Sequence, residues 1–186
     1  MIFDKLEHVN QAEVSSLLYD FQKLMSKQSF KSKAILHKEG DICNHLYLIE
    51  KGIARAFYYK DGKDITAHFA AEKRTITAID SFIQRKKSRY NIEVLEDSEI
   101  TAISHQDLQN LLEKKPEYEK YTRIFLEQIY IDLAERVEDL LFHNAKERYD
   151  KLVEKTPDLL QRVHLKHIAS FIGITQETLS RIRTQV

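Results

Sequence analysis

The segment from Val163 to Val186 constrains the chain most tightly, because a single glycine there separates two stretches of helical apolar spacing. Leu165, Ile168, Ala169 and Ile172 keep that spacing up to Gly173. Glycine reaches positive φ without steric cost, so a first helix closes at this point. Thr175 is placed to cap a second helix, its hydroxyl accepting from the first free N–H groups, and Glu177 in the opening turn suits the positive end of the helix dipole. Along this second helix Leu179, Ile182 and Val186 fall on one side, while Gln176, Glu177, Ser180, Arg181 and Thr184 share the other. One face is apolar; the opposite face is polar and long-armed.

Two short helices joined by a Gly-containing turn make a helix-turn-helix, in which small Ala169 permits a close crossing. The plain alternative is an αα-hairpin packed in an ordinary core. The polar face favours a groove reader, since Arg181 can donate twice to guanine and Glu177 can accept from cytosine N4. The run Gln-Glu-Thr-Leu-Ser-Arg from Gln176 to Arg181 resembles the recognition helix of the Crp/Fnr family of bacterial transcription regulators. The resemblance implies that Glu177 and Arg181 read base edges. Thr175, Gln176, Thr178, Ser180 and Arg183 complete the expected DNA-binding set.

Charge sets a condition on that reading. The 186 residues carry 29 basic and 29 acidic side chains, so nothing draws the whole chain to nucleic acid. From Lys146 onward the balance turns to about +3, with His164 and His167 in reserve, which makes double-stranded DNA a partner only through a local patch used in two copies. Cys43 is the only cysteine, which excludes an internal disulfide and a self-held iron–sulfur cluster. The first residues lack a secretory pattern and no apolar run approaches the roughly 18 residues of a membrane span, so a cytoplasmic location without membrane contact is expected.

Three of the four glycines, Gly40, Gly52 and Gly62, crowd the first third and separate short runs rich in β-branched and aromatic residues. The runs are Ala34 to His37, Leu46 to Ile49, Ile53 to Tyr59, Asp64 to Phe69, Thr75 to Ile79, Tyr90 to Leu95 and Glu99 to Ile103, and Asp61-Gly62 is a strong hairpin signal. An amphipathic helix from Gln11 to Met25 precedes them, and Ser104 with Asp107 starts a helix after them. The stretch His37 to Tyr59 looks like the cyclic-nucleotide-binding-type sensor domain of the same family. The expected fold is therefore α+β: an N-terminal antiparallel β-roll with flanking helices over residues 1–115, a long dimerisation helix over 116–146, and an all-α helix-turn-helix, winged-helix-like with the wing missing, over 147–186.

Members of the family that bind cyclic AMP carry a Gly-Glu pair and an Arg-Ser/Thr-Ala segment that hold the cyclic phosphate. Between Phe69 and Tyr90 this sequence has no glycine. Glu72, Arg89 and Tyr90 stand nearest to those positions and form the candidate effector pocket, for an unidentified small molecule other than cyclic AMP. The run Arg85-Lys86-Lys87-Ser88-Arg89 is either an anion site or a solvated loop.

Pro116 opens the next element. A stripe of Tyr118, Tyr121, Phe125, Ile129, Leu133, Val137, Leu140 and Leu141, with no breaker before Thr156-Pro157, predicts a helix of about 30 residues from Glu117 to Lys146. Its apolar surface is too broad for one neighbour, and Tyr121, Phe125, Ile129, Leu133 and Val137 are expected at a homodimer interface. Thr156-Pro157-Asp158 reads as cap, first-turn proline and first-turn acid of a short helix through Val163. No catalytic constellation, bound metal or cofactor is expected: His164 and His167 lack a third ligand at fitting spacing, and no Gly-rich phosphate loop exists. The reading is a non-enzymatic, homodimeric transcription regulator on a two-fold symmetric operator, with RNA polymerase as a further partner. The alternative is a ligand- or partner-binding signalling or scaffold protein whose helix-turn-helix has lost DNA binding.

Overall fold

The computed structural model describes residues 11–184, so Val186 lies outside the described residues. The elements run α1 (Gln11–Leu24), β1 (Ser26–Phe30), β2 (Ile35–His37), β3 (His45–Lys51), β4 (Ala54–Lys60), β5 (Lys63–Ala70), β6 (Thr75–Ile76), α2 (Ile79–Gln84), β7 (Asn91–Val94), β8 (Ser98–Ser104), α3 (His105–Lys114), a 3-10 turn (Pro116–Tyr118), α4 (Glu119–Phe142), α5 (Ala145–Lys155), α6 (Leu159–Arg162), α7 (Leu165–Ile172) and α8 (Gln176–Thr184). This is the expected α+β order of a roll followed by helices. The chain divides into two compact units. One holds the chain up to Ala56 together with Phe69–Gln128, and the other holds Phe57–His68 with the chain from Ile129 onward.

The strands form two four-stranded sheets, ordered β1-β8-β3-β6 and β2-β7-β4-β5, of which the first unit holds all but the parts of β4 and β5 within Phe57–His68. Strand β3 runs antiparallel to β8 with Tyr47 opposite Ala102 and Ile49 opposite Ile100. Alternation then sends Tyr47, Ile49, Ala54, Ala56, Ile92, Val94 and Ile100 into one shared core with Ala70 and Ile76. Strand β1 was invisible to apolar periodicity because Ser-Lys-Gln-Ser is exposed almost throughout; it is an edge strand recruited by pairing Ser26–Phe30 with Ala102–Ser98. The strand expected from Thr75 to Ile79 stops at Ile76, and Ile79–Gln84 is instead the short helix α2. Ser104 caps α3 as expected, its hydroxyl accepting from the Asp107 N–H at 3.0 Å. Leu17 of α1, Leu111 of α3, Tyr118 and Tyr121 close a second cluster, in which Tyr118 donates its hydroxyl to Asp20 at 2.7 Å.

The second unit begins with the β4–β5 hairpin tip. Asp61 (φ 51°) and Gly62 (φ 72°) both take positive φ, the requirement of a two-residue hairpin turn with primed geometry. The single helix of about 30 residues expected from Glu117 to Lys146 is not found. A 3-10 turn replaces its start, and α4 stops at Phe142. The physical cause is Asn144: its side chain accepts from the N–H groups of Lys146 and Glu147, while the Glu147 carboxylate accepts from the Asn144 N–H at 2.7 Å. This reciprocal capping box starts α5 and ends the run. The expected cap at Thr156 is not made either, since its hydroxyl donates back to Leu152 O at 2.9 Å.

Candidate nucleic-acid interface

Helix α7 ends where the sequence requires. Gly173 adopts φ 75° and its N–H, with that of Ile174, bonds back to the last carbonyls of α7. Thr175 Oγ1 accepts from the Thr178 N–H at 3.2 Å and so caps α8. Ile168, Ala169, Ile172 and Leu179 are each no more than 1% exposed, and Ile182 is buried beside them. Burial of that side fixes which face of α8 looks outward. Thr175, Gln176, Glu177, Ser180, Arg181, Arg183 and Thr184 are exposed, and Thr178 is half-buried. The face expected to meet DNA is thus brought together on one exposed surface.

The outward residues are held in part by each other. Glu177 is kept below the usual carboxylate range by its own backbone N–H, by the Thr175 hydroxyl and by the Arg181 charge, against a small opposing effect of burial. Arg181 donates to Thr178 Oγ1 at 3.4 Å.

Several cations of the expected basic patch are already committed within the second unit. Lys146 pairs with Asp150, Lys151 with Asp139 and Lys155 with Glu135, each at 2.6 Å. Arg148 donates to Ile172 O at 2.8 Å and to His143 O at 2.5 Å. The exposed cations outside these pairs are fewer: Lys166, Arg181 and Arg183, with His164. Lys166 and His164 line an open depression of about 410 Å³ together with Leu165 and Gln176, at the starts of α7 and α8. The crossing of α7 over α8 is what places these two residues beside Gln176. His167 is buried, its ring 6.2 Å from that of His164 and tilted by 62°.

Of the residues expected at a dimer interface, Tyr121 is instead buried in its own chain against Leu17, Leu111 and Tyr118. Phe125 and Ile129 are half-buried, while Leu133 and Val137 are exposed. The reason is geometric. Each i+4 step over-rotates by about 40° on a 3.6-residue helix, so a stripe of four such steps starts on the inner side and ends on the outer one. The exposed apolar row of α4 is Leu126, Tyr130, Leu133, Val137 and Leu140, spaced 4-3-4-3, with Leu141 beside it.

The three residues expected to line an effector pocket have separate surroundings. The Glu72 carboxylate accepts from the Gly52 N–H at 2.9 Å. Tyr90 packs against the cluster of Cys43, Ala78, Phe82, Ile103 and Leu108. Arg89 is exposed.

Residues 27–115 match the family model described as the cyclic nucleotide-binding domain. No curated protein matches the sequence. Among solved structures, the c-di-GMP responsive global regulator CLP of Xanthomonas campestris superposes with a TM-score of 0.70 at 16% identity, over 92% of this chain and 90% of CLP. FixK2 of Bradyrhizobium japonicum gives 0.74 at 15% identity, over 87% and 83% of the two chains. A transcriptional regulator of the crp/fnr family from Eubacterium rectale gives 0.70 at 18% identity, over 99% and 86%. At these identities the likeness is one of fold. Residues 27–115 therefore match the cyclic nucleotide-binding domain model, and the chain as a whole shares its fold with these three solved structures.

Proposed function

We propose that this protein is a DNA-binding transcription regulator that acts as a homodimer on a two-fold symmetric site. The observation that carries the reading is the split of α8, where Leu179 and Ile182 are buried while Gln176, Glu177, Ser180, Arg181 and Arg183 are exposed. An exposed row of two arginines, an acid and small polar side chains on the second helix of a helix-turn-helix suits base edges in a major groove. With Lys166, Arg181 and Arg183 as the exposed cations of this region outside the ion pairs, one copy supplies few phosphate contacts, so a second copy is needed for affinity. The 4-3-4-3 row on α4 supports the homodimer, because that spacing is the seam of a two-helix coiled coil.

The β-roll acts in this reading as a sensor for an effector other than cyclic AMP. Glu72 is engaged by the Gly52 backbone, and Tyr90 is packed into a core cluster, which leaves exposed Arg89 alone of the three candidates to meet a phosphate. A calorimetric titration with cyclic AMP should then give no saturable heat. The main test is retention on genomic DNA fragments at rising salt. The reading expects a subset of fragments held above the rest, with affinity falling steeply with salt. Equal, weak retention of all fragments would instead favour a scaffold whose helix-turn-helix does not read DNA.

A further inference from the structure

The loop after α2 is basic and fixed in place. Arg85 takes a left-handed conformation (φ 55°), which a non-glycine residue adopts at a cost. Its guanidinium offsets that cost by donating to Cys43 O at 2.8 Å and Phe82 O at 3.2 Å, and it also bonds Asn44 Oδ1. Ser81 accepts from the Cys43 N–H at 2.9 Å and donates to Lys86 O, which ties α2 and the loop to the segment before β3. A short antiparallel ladder completes the clamp: the Gly40 N–H donates to Ser88 O, the Ser88 N–H donates to Asp41 O, both at 2.8 Å, and Ile42 faces Lys87 across the ladder.

This clamp holds Lys86, Lys87 and Arg89, all exposed, within four residues. Lys27, Lys31, Lys115 and Lys120 of the same unit are each matched to a carboxylate, whereas Lys33, Lys38, Lys73 and Lys114 are exposed singly rather than as a cluster. Two isoleucines close to the three clamped cations along the chain or across the ladder are exposed: Ile83, three residues before Lys86, by 53%, and Ile42, the bridge partner of Lys87, by 40%. Bridge partners put their side chains on one face, so Ile42 and Lys87 are neighbours there. Glu39 and Asp41 are exposed on the adjoining strand segment, so an incoming chain must keep its carboxylates on the Lys86, Lys87 and Arg89 side. A rigid face of cations with apolar neighbours loses little entropy on docking.

We propose that the surface formed by Ile42, Ile83, Lys86, Lys87 and Arg89 docks an acidic segment of another protein, one that interleaves carboxylates with apolar side chains. The carboxylates meet the three cations, and the apolar side chains cover the two isoleucines. Charge complementarity selects the partner, and the isoleucines distinguish a protein surface from a simple anion. The proposal does not depend on what α8 reads.

The test uses the full chain and a fluorescent twelve-residue probe peptide of alternating Glu and Leu, followed by anisotropy. Saturable binding is expected, weakened about tenfold or more by Lys86→Glu with Lys87→Glu and Arg89→Glu. Ile83→Ser should weaken it by a smaller but measurable factor, and a peptide with Gln for Glu should not bind. Reversal of Lys60 and Lys63, on the β4–β5 hairpin, should leave binding within about twofold. If the triple reversal does not fold, Lys86→Gln with Lys87→Gln takes its place. Equal loss from the Lys60 and Lys63 reversal, or no effect of Ile83→Ser, would overturn the proposal in favour of general charge attraction. Displacement of the peptide by inorganic phosphate or by unrelated duplex DNA would overturn it in favour of an anion or nucleic-acid site. A change of oligomeric state in the reversal variant without loss of peptide binding would overturn it in favour of a contact between copies.

Discussion

Arg136, on the second half of α4, donates from its guanidinium to the carbonyl of Phe171 near the end of α7 and lies over the Phe171 ring, 4.1 Å from its centroid. The Arg148 side chain from α5 takes the next carbonyl, Ile172 O, at 2.8 Å. Two cations thus satisfy the carbonyl end of α7 at the negative pole of its dipole, and they fix the helix-turn-helix to the end of the long helix.

Replacing Arg136 with Ala should therefore destabilise the second unit by about 1.5–3 kcal/mol, the range for a hydrogen bond to a charged group. Burial already lowers its pKa, with Asp139 opposing that effect, so Lys, which lacks the planar fork, should restore only part of the loss. Denaturant unfolding followed by a label on α8 would report it.

The two kinds of apolar residue on α4 should separate cleanly on mutation. Leu133→Asp, on the exposed row, should give a folded monomer, because a charge then sits in the helix seam. Tyr121→Ala, in the protomer's own cluster, should cost about 3–5 kcal/mol, the range for truncating a large buried aromatic side chain, and should leave the association constant of the folded fraction unchanged. Sedimentation equilibrium with parallel thermal melts distinguishes the outcomes.

Stability should fall as the solution is acidified below the ordinary imidazole value of about 6.5. Burial lowers the pKa of His37, Asp41 opposing, and burial with the Arg85 charge lowers that of His105. In each case the unfolded chain takes up its proton first, so stability is complete above the unfolded value and is lost as pH drops toward the folded one. Among the described residues His37 Nε2 is the buried side-chain atom without a hydrogen-bond partner, so His37→Gln should flatten the profile below about pH 6.5. Unfolding midpoints measured at several pH values check this.

How far the sequence foretold the structure depended on the kind of signal. The turn at Gly173, the cap at Thr175 and the hairpin at Asp61-Gly62 were legible because each rests on backbone chemistry at one or two residues. The break at Asn144 was equally local, yet the apolar stripe running through it masked the capping signal of Asn144 with Glu147. Strand β1 gave no pattern of its own because its partner strand, not its side chains, makes it a strand. The exposed face of α8 followed from helical periodicity alone, as the i,i+4 pair of Lys146 with Asp150 could, whereas the loss of Arg148, Lys151 and Lys155 to partners on α4 and α7 could come only from the packing of α5.

Gly52 offers a test of the roll itself. It sits at φ 101°, and a Cβ there would lie 2.1 Å from Ser98 Oγ, a side chain held by its own bond to Glu96 O. Gly52→Ala should destabilise the first unit by about 1–3 kcal/mol through backbone strain and overpacking together. Gly62→Ala, with open space around it, should cost less. Urea midpoints for the two variants give the comparison.

The most direct test of the whole account is selection from random DNA duplexes with the parent protein, with Arg181→Ala and with Thr175→Ala. Arg181 is on the exposed face of α8 and Thr175 holds the start of that helix. The account predicts an inverted repeat from the parent, with half-site centres about 10 base pairs apart. It predicts a degenerate form of that repeat from Arg181→Ala, weaker by about 1–3 kcal/mol at one base pair in each half-site. Thr175→Ala should return the same repeat with affinity lowered evenly across sequences. The same motif with undiminished preference from Arg181→Ala, or no motif from the parent, would contradict the account.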